Sequence, residues 1–244
     1  MLSKSQIKLI TSLKQKKYRK QHQLFVAEGK KTIQELLGSD FELYQLYTIT
    51  DDFGVSDHLQ TVITSKELEK ISFLKTPNTA LALFNTKDFK VPDPNQLMVA
   101  LDNIQDPGNL GTIIRLCDWF GIEKLICNSD TVDCYNPKVV QATMGSLARV
   151  DLIYTQLSDY LSKYEGEVFG AFMDGEDIYS QELPQKGIII LGNEGNGISP
   201  VVERHIGKRL AIPRFGKLQH TESLNVANAT AIFLSEFRRR SIEK

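Results

Sequence analysis

The sequence predicts an α/β protein in which a C-terminal domain with a mostly parallel sheet follows a smaller α/β domain. Three observations carry this prediction. From Leu97 onward, short apolar runs alternate with stretches of helical periodicity, the pattern of strand–helix–strand units. Two of those runs, Leu97-Met98-Val99-Ala100 and Ile188-Ile189-Ile190-Leu191, are wholly apolar, as suits strands covered on both faces. Residues 87–96 (K-D-F-K-V-P-D-P-N-Q) are polar and contain two prolines, which marks a boundary. The expected division is a first domain at 1–87, a linker at 88–96 and a second domain at 97–244.

Each element has its own justification. Ile7, Ile10 and Leu13 recur at helical spacing between lysines, so residues 3–17 are expected to form a helix. A short strand at 24–27 precedes a helix at 28–37 that ends near Gly38. Strands are expected at 43–49 and 80–84, with a helix at 65–71 capped by Ser65. In the second domain, the apolar runs place strands at 97–101, 124–127, 168–172, 187–191 and 209–212. Helices are expected at 110–120, 137–147, 157–164, 199–206 and 223–239, with Asn109 capping the first and Ser223 the last.

The totals exclude several classes. With 244 residues, 41% hydrophobic and 24% charged, the chain has the composition of a soluble globular protein. No apolar run is long enough to span a bilayer, and Met1 to Lys8 lacks the apolar core of a secretory signal. A cytoplasmic protein without a membrane partner is expected. Cys117, Cys127 and Cys134 are odd in number and lack paired C-x-x-C spacing, so neither a disulfide framework nor a metal site is expected. The net charge of −1 hides an uneven distribution: Lys14, Lys16, Lys17, Arg19 and Lys20 cluster in a segment where Glu28 is the nearest acid. Such a patch can attract a phosphate backbone, and it can equally be a solvated helix face.

Three segments place polar side chains where an apolar run ends or a helix begins, the positions at which α/β proteins build sites. The first is N-L-G-T-I-I-R from Asn109 to Arg115. Leu110, Ile113, Ile114 and Cys117 make the apolar stripe of its helix, and Arg115 falls off that stripe. The second is L-G-N-E-G-N-G-I-S from Leu191 to Ser199. Gly192, Gly195 and Gly197 permit tight turns, but their G-x-x-G-x-G spacing is not that of a dinucleotide loop. The third is Ile212-Pro213 followed by Glu222-Ser223-Leu224-Asn225, with Ala227, Ala229 and Ala231 allowing close helix packing.

Together these segments resemble, in order and over roughly residues 97–240, the three motifs of the SpoU (TrmH-type) RNA ribose 2′-O-methyltransferases of the SPOUT superfamily. Thr143-Met144-Gly145-Ser146 matches a further segment between the first and second motifs, and K-Q-K-K-Y-R…F-V-A-E-G-K-K looks like the start of the family's L30/L7Ae-like RNA-binding domain. The resemblance implies a deep trefoil knot in the second domain, a homodimer, and methyl transfer from S-adenosylmethionine to a ribose 2′-hydroxyl of ribosomal or transfer RNA. It implies catalytic roles for Arg115, Asn109, Glu194, Ser223 and Asn225. It implies cofactor contacts at Gly192, Ile212, Leu224, Gly197 and Thr143. The clustering of Lys14, Lys16, Lys17, Arg19 and Lys20 makes them the expected RNA contacts. The loop R-F-G-K-L-Q-H-T from Arg214 to Thr221 is longer and more basic than the family's compact one. The alternative is a non-catalytic RNA-binding protein on the same scaffold; retention of every catalytic motif residue favours the enzyme.

Overall fold

The computed structural model describes residues 1–89, 95–216 and 223–239. In chain order the first elements are α1 (Lys4–Ser12), α2 (Lys16–His22), β1 (Leu24–Glu28), α3 (Lys30–Leu37), β2 (Leu43–Thr48), β3 (Gln60–Val62), α4 (Ser65–Ile71) and β4 (Ala80–Asn85). There follow β5 (Leu97–Asp102), α5 (Pro107–Trp119), β6 (Lys124–Asn128), α6 (Pro137–Thr143), β7 (Asp151–Thr155), α7 (Leu157–Leu161), β8 (Val168–Asp177), β9 (Gly187–Gly192), α8 (Pro200–Glu203), β10 (Lys208–Ala211) and α9 (Val226–Arg239). Among the described residues no helix is long and apolar enough to cross a membrane.

These elements form two compact units: Met1–Asp88 with Asp133–Arg149, and Phe89–Val132 with Val150–Lys244. Residues 133–149, expected in the second domain, pack in the first unit. The reason is a set of long-range partners. Tyr135 stacks on Phe25 with ring centroids 4.7 Å apart, and Asp133 pairs with Arg19 at 2.6 Å. Residues 90–94 of the expected linker lie outside the described residues.

The first unit is built on a four-stranded sheet in the order β1-β4-β2-β3, in which only β2 and β3 run parallel. Ile10, Leu13, Leu24, Val26, Leu68, Leu81 and Leu83 form one buried cluster, which seats α1 and α4 against the sheet. The single helix expected over 3–17 is two helices. Gln15 adopts extended backbone at φ −97° and ψ 132°. The Arg19 guanidinium donates to the Leu13 and Lys14 carbonyls at 2.7 and 2.9 Å. It thus supplies partners that a continuing helix would have given to the end of α1. At α4 the cap is Thr64, which shares a capping box with Glu67.

The second unit holds a six-stranded sheet in the order β10-β8-β9-β5-β6-β7, parallel throughout. Its central strand β5 is buried at every residue. Met98, Ala100, Ile188 and Ile190 pack with Leu157, Leu161 and Val202 on one face, under α7 and α8. Side chains alternate along a strand. On the opposite face Phe169 meets Phe237 of α9 edge to face, with centroids 5.2 Å apart. The helix α9 lies beside α5, and Arg238 donates to the Phe120 and Gly121 carbonyls, both at 3.0 Å, just beyond the C-terminus of α5. Cys117, Cys127 and Cys134 are all buried.

Candidate functional site

A wholly parallel sheet gathers the C-terminal ends of its strands on one edge, where loops rather than strands decide what is presented. Here Asp102 ends β5 directly beside Gly192 at the end of β9. The helix α5 starts close by, with Pro107 in its first turn and the Asp106 side chain accepting the Asn109 N–H at 2.8 Å. Asp106, not Asn109, is therefore the cap. An aspartate immediately before a first-turn proline is the signal that marks it in the sequence.

Relieved of capping, the Asn109 side chain joins the three motif segments. Its Nδ2 donates to Glu194 Oε1 at 2.8 Å, and its Oδ1 accepts from Asn225 Nδ2 at 2.9 Å. A carboxylate only accepts, so the bond to Glu194 sets which way the Asn109 amide points, and that in turn sets Asn225. Asn225 Oδ1 accepts the Ala227 N–H at 2.9 Å, which makes Asn225 the cap of α9. Ser223 does not cap that helix. It lies exposed, ahead of Asn225, and its hydroxyl is outside the capping position.

The glycine loop is held from within. Asn193 and Gly197 exchange N–H···O bonds, both at 2.9 Å. Asn193 Oδ1 accepts the amides of Gly195 and Asn196 at 2.9 and 3.1 Å. Asn193 Nδ2 ties the loop to the Asn103 carbonyl at 2.8 Å. A Cβ on Gly192 would fall 2.2 Å from the Gly197 carbonyl carbon, so only glycine fits there. Gly197 sits at φ +69°. Beneath the loop, the fully buried Asp102 accepts from Asn128 Nδ2 at 2.8 Å and from the Ser199 N–H at 2.7 Å. Asp102 and Asn193 escape a reading of the sequence. A polar residue closing the apolar run L-M-V-A-L-D was the available signal for Asp102.

Arg115 lies on the exposed side of α5, away from the buried Leu110, Ile113, Ile114 and Cys117. Among the described residues no hydrogen bond or ion pair of its guanidinium is found. Of the expected cofactor positions, Gly192 and Ile212 are half-buried, Gly197 is exposed, and Leu224 is 50% exposed despite its apolar side chain. Thr143 is a correction. Its side chain is fully buried, its hydroxyl donates to the Val140 carbonyl at 2.7 Å within α6, and it belongs to the first unit. That hydroxyl is already satisfied and shielded, so it is no ligand group. Lys217, His220 and Glu222 lie outside the described residues.

In the first unit Lys14, Lys16, Lys17 and Lys20 are exposed. Arg19 is not. It is 3% exposed, and its guanidinium is spent on two backbone carbonyls and on Asp133, at 3.0 Å through Nε and 2.6 Å through Nη2. Arg19 is a structural cation and cannot meet a phosphate. The basic patch reduces to its lysines.

Known proteins resemble the chain along most of its length. The model of the SpoU rRNA methylase family matches residues 96–235, and that of the MRM3-like substrate binding domain matches residues 4–82. The chain is 29% identical over 233 residues to the 23S rRNA (guanosine(2553)-2′-O)-methyltransferase RlmP of Bacillus subtilis, covering 91% of this chain and 92% of that one. The solved structure of a TrmH-family protein from Porphyromonas gingivalis superposes with a TM-score of 0.90 at 40% identity, covering 98% of this chain and 99% of that one. An AdoMet-bound rRNA methyltransferase from Sinorhizobium meliloti superposes with a TM-score of 0.86 at 29% identity, covering 98% and 96%.

Proposed function

The chain belongs to the SpoU rRNA methylase family, and from that premise we propose that it transfers a methyl group from S-adenosylmethionine to a ribose 2′-hydroxyl of structured RNA. Ribosomal RNA is favoured over transfer RNA by the family and by the Bacillus subtilis relative. One observation carries the reading: Glu194, Asn109 and Asn225, from three distant segments, are joined by two side-chain hydrogen bonds at the C-terminal edge of a parallel sheet. That chain joins all three motif segments, which supports the enzyme over a non-catalytic scaffold.

The residues suit the cofactor. Backbone groups at Gly192, Ile212 and Leu224 can bond the edge of an adenine, and the exposed Leu224 side chain offers its ring an apolar surface. The close backbone approach at Gly192 suits a shaped pocket without side chains. S-adenosylmethionine supplies an already activated methyl group. The remaining tasks are to hold the 2′-oxygen in line with that methyl and to take its proton. Arg115 is assigned to orient the ribose hydroxyl and the adjoining phosphate through its planar fork. A guanidinium rarely gives up its own proton, so an RNA phosphate oxygen or a water is the better acceptor. Asn109, Glu194 and Asn225 fix the loops around it, and the exposed Ser223 hydroxyl is available to the ribose. RNA is selected over DNA because DNA lacks the accepting hydroxyl. We place this reaction in the cytoplasm and, with the family, in a knotted second domain.

Binding of S-adenosylmethionine by calorimetry, followed by mapping of 2′-O-methyl positions in ribosomal RNA with and without the gene, tests the reading. Absence of cofactor binding by the folded protein contradicts it.

Two expected results accompany this reading. Replacing Lys14, Lys16, Lys17 and Lys20 by Gln weakens RNA binding and flattens its salt dependence, because a phosphate that no lysine neutralises keeps its counterion. Filter binding across a salt series measures this, with cofactor affinity unchanged; a slope equal to wild type reduces the patch to a solvated face. The protein is also expected to be a homodimer through the second domain. Trp119, 83% exposed on α5, is one apolar side chain that such an interface would cover. Light scattering that gives a monomer at micromolar concentration contradicts the dimer.

A further inference from the structure

The helix α2 carries an aromatic pair at its partly exposed face. Tyr18 and His22, one turn apart, stack with ring centroids 6.5 Å apart and planes 24° from parallel. Tyr18 is half-buried and His22 is exposed. Around them stand the exposed Lys16, Lys17 and Lys20. Lys17 Nζ lies 4.6 Å from the centroid of the Tyr18 ring.

The pair sits on a fixed support. Arg19, between the two rings in sequence, anchors α2 from its buried side to Asp133 and to the carbonyls of Leu13 and Lys14. The end of the helix is closed by Gln23 at φ +54°, whose Nε2 donates to the Lys20 carbonyl at 2.7 Å. Gln23 is held in turn by the Thr86 hydroxyl at 2.8 Å. The aromatic face is thus set before any ligand arrives, which lowers the ordering cost of binding.

We infer that Tyr18 and His22 form a stacking platform for an unpaired RNA base, with Lys16, Lys17 and Lys20 taking the phosphates on either side of it. This rests on the proposed action on RNA and adds a feature of the substrate: a bound segment with a splayed base rather than continuous duplex. Bases within a duplex are stacked on each other and show a protein only their edges, whereas an unpaired base has a free π-face. Aromatic rings interleaved with lysines are the combination that holds single-stranded nucleic acid with little regard to sequence. The Lys17 ammonium needs only to swing from the Tyr18 ring to a phosphate for the base to take its place.

Two probes test this with the full chain: an RNA hairpin carrying 2-aminopurine in an unpaired loop, and a blunt duplex of the same stem. Wild type is expected to quench the 2-aminopurine fluorescence. Tyr18→Leu and His22→Leu are expected to abolish the quench and to weaken hairpin binding by about tenfold or more. Duplex affinity and the salt slope on both probes stay as in wild type, since every lysine is retained. Tyr18→Phe keeps the ring and is expected to restore hairpin binding, which separates stacking from loss of the helix. Equal losses on both probes, or an undiminished quench in Tyr18→Leu, overturns the platform. Tritiated S-adenosylmethionine with ribosomal RNA distinguishes the two readings. If wild type quenches but transfers no methyl group, the enzyme reading fails alone. If it transfers and Tyr18→Leu binds the hairpin as wild type does, the platform fails alone.

Discussion

Arg115→Ala is expected to lower the rate of methyl transfer by about 10²-fold or more while leaving S-adenosylmethionine affinity within about twofold. The magnitude is that of losing a preorganised donor or a positioned proton-transfer partner from an active site. The fold gives no reason for any other loss. Arg115 is exposed and stands off the buried stripe of α5, so its removal opens no cavity and orphans no partner among the described residues. Arg115→Lys keeps the charge but not the two-pronged geometry, and is expected to recover only a small part of the rate. Single-turnover transfer of labelled methyl, with cofactor affinity by calorimetry, is the measurement. Near-normal turnover in the folded variant would remove Arg115 from the mechanism.

Arg19→Ala is expected to have the largest effect on stability, about 3 kcal/mol or more, with no flattening of the salt dependence of RNA binding in the protein that remains folded. Truncation leaves the Asp133 carboxylate, 15% exposed, without its ion-pair partner. It also leaves the Leu13 and Lys14 carbonyls without the donor that ends α1. Arg19→Lys cannot restore this, because one ammonium does not reach two carbonyls and a carboxylate in a planar fork. Urea unfolding of the variants checks the loss. An unchanged midpoint together with a shallower salt slope would return Arg19 to the RNA surface.

The same residue shows where reading a sequence stops. Local patterns carried most of the strands of the second unit, because a strand buried on both faces has to be apolar at every position, as β5 is. They missed β7, an edge strand that is mostly half-buried and mixed in character, and β3, which is only three residues long. The charge pattern counted Arg19 among the surface cations because a count of lysines and arginines cannot foresee a carboxylate arriving from 114 residues away.

The site divides in the same way. The residues proposed for it were picked out in the chain by the motif resemblance: Asn109 and Arg115 about a helix start, Glu194 in a glycine loop, Asn225 before the last helix. Local chemistry alone read Arg115 as a solvated surface side chain and Glu194 as a turn carboxylate; the spacing of the motifs singled them out. The caps were misassigned by a few residues, to Asn109 and Ser223 instead of Asp106 and Asn225. Several side chains in each segment can cap, and only the backbone path decides which one is placed to do so. That Asn109 bridges Glu194 to Asn225, that Thr143 is sealed inside the first unit and that Arg19 is buried were decided by tertiary structure alone. Each depends on segments brought together by burial of apolar surface, a force without direction, so the partners they find are set by the packed geometry and not by their neighbours in sequence.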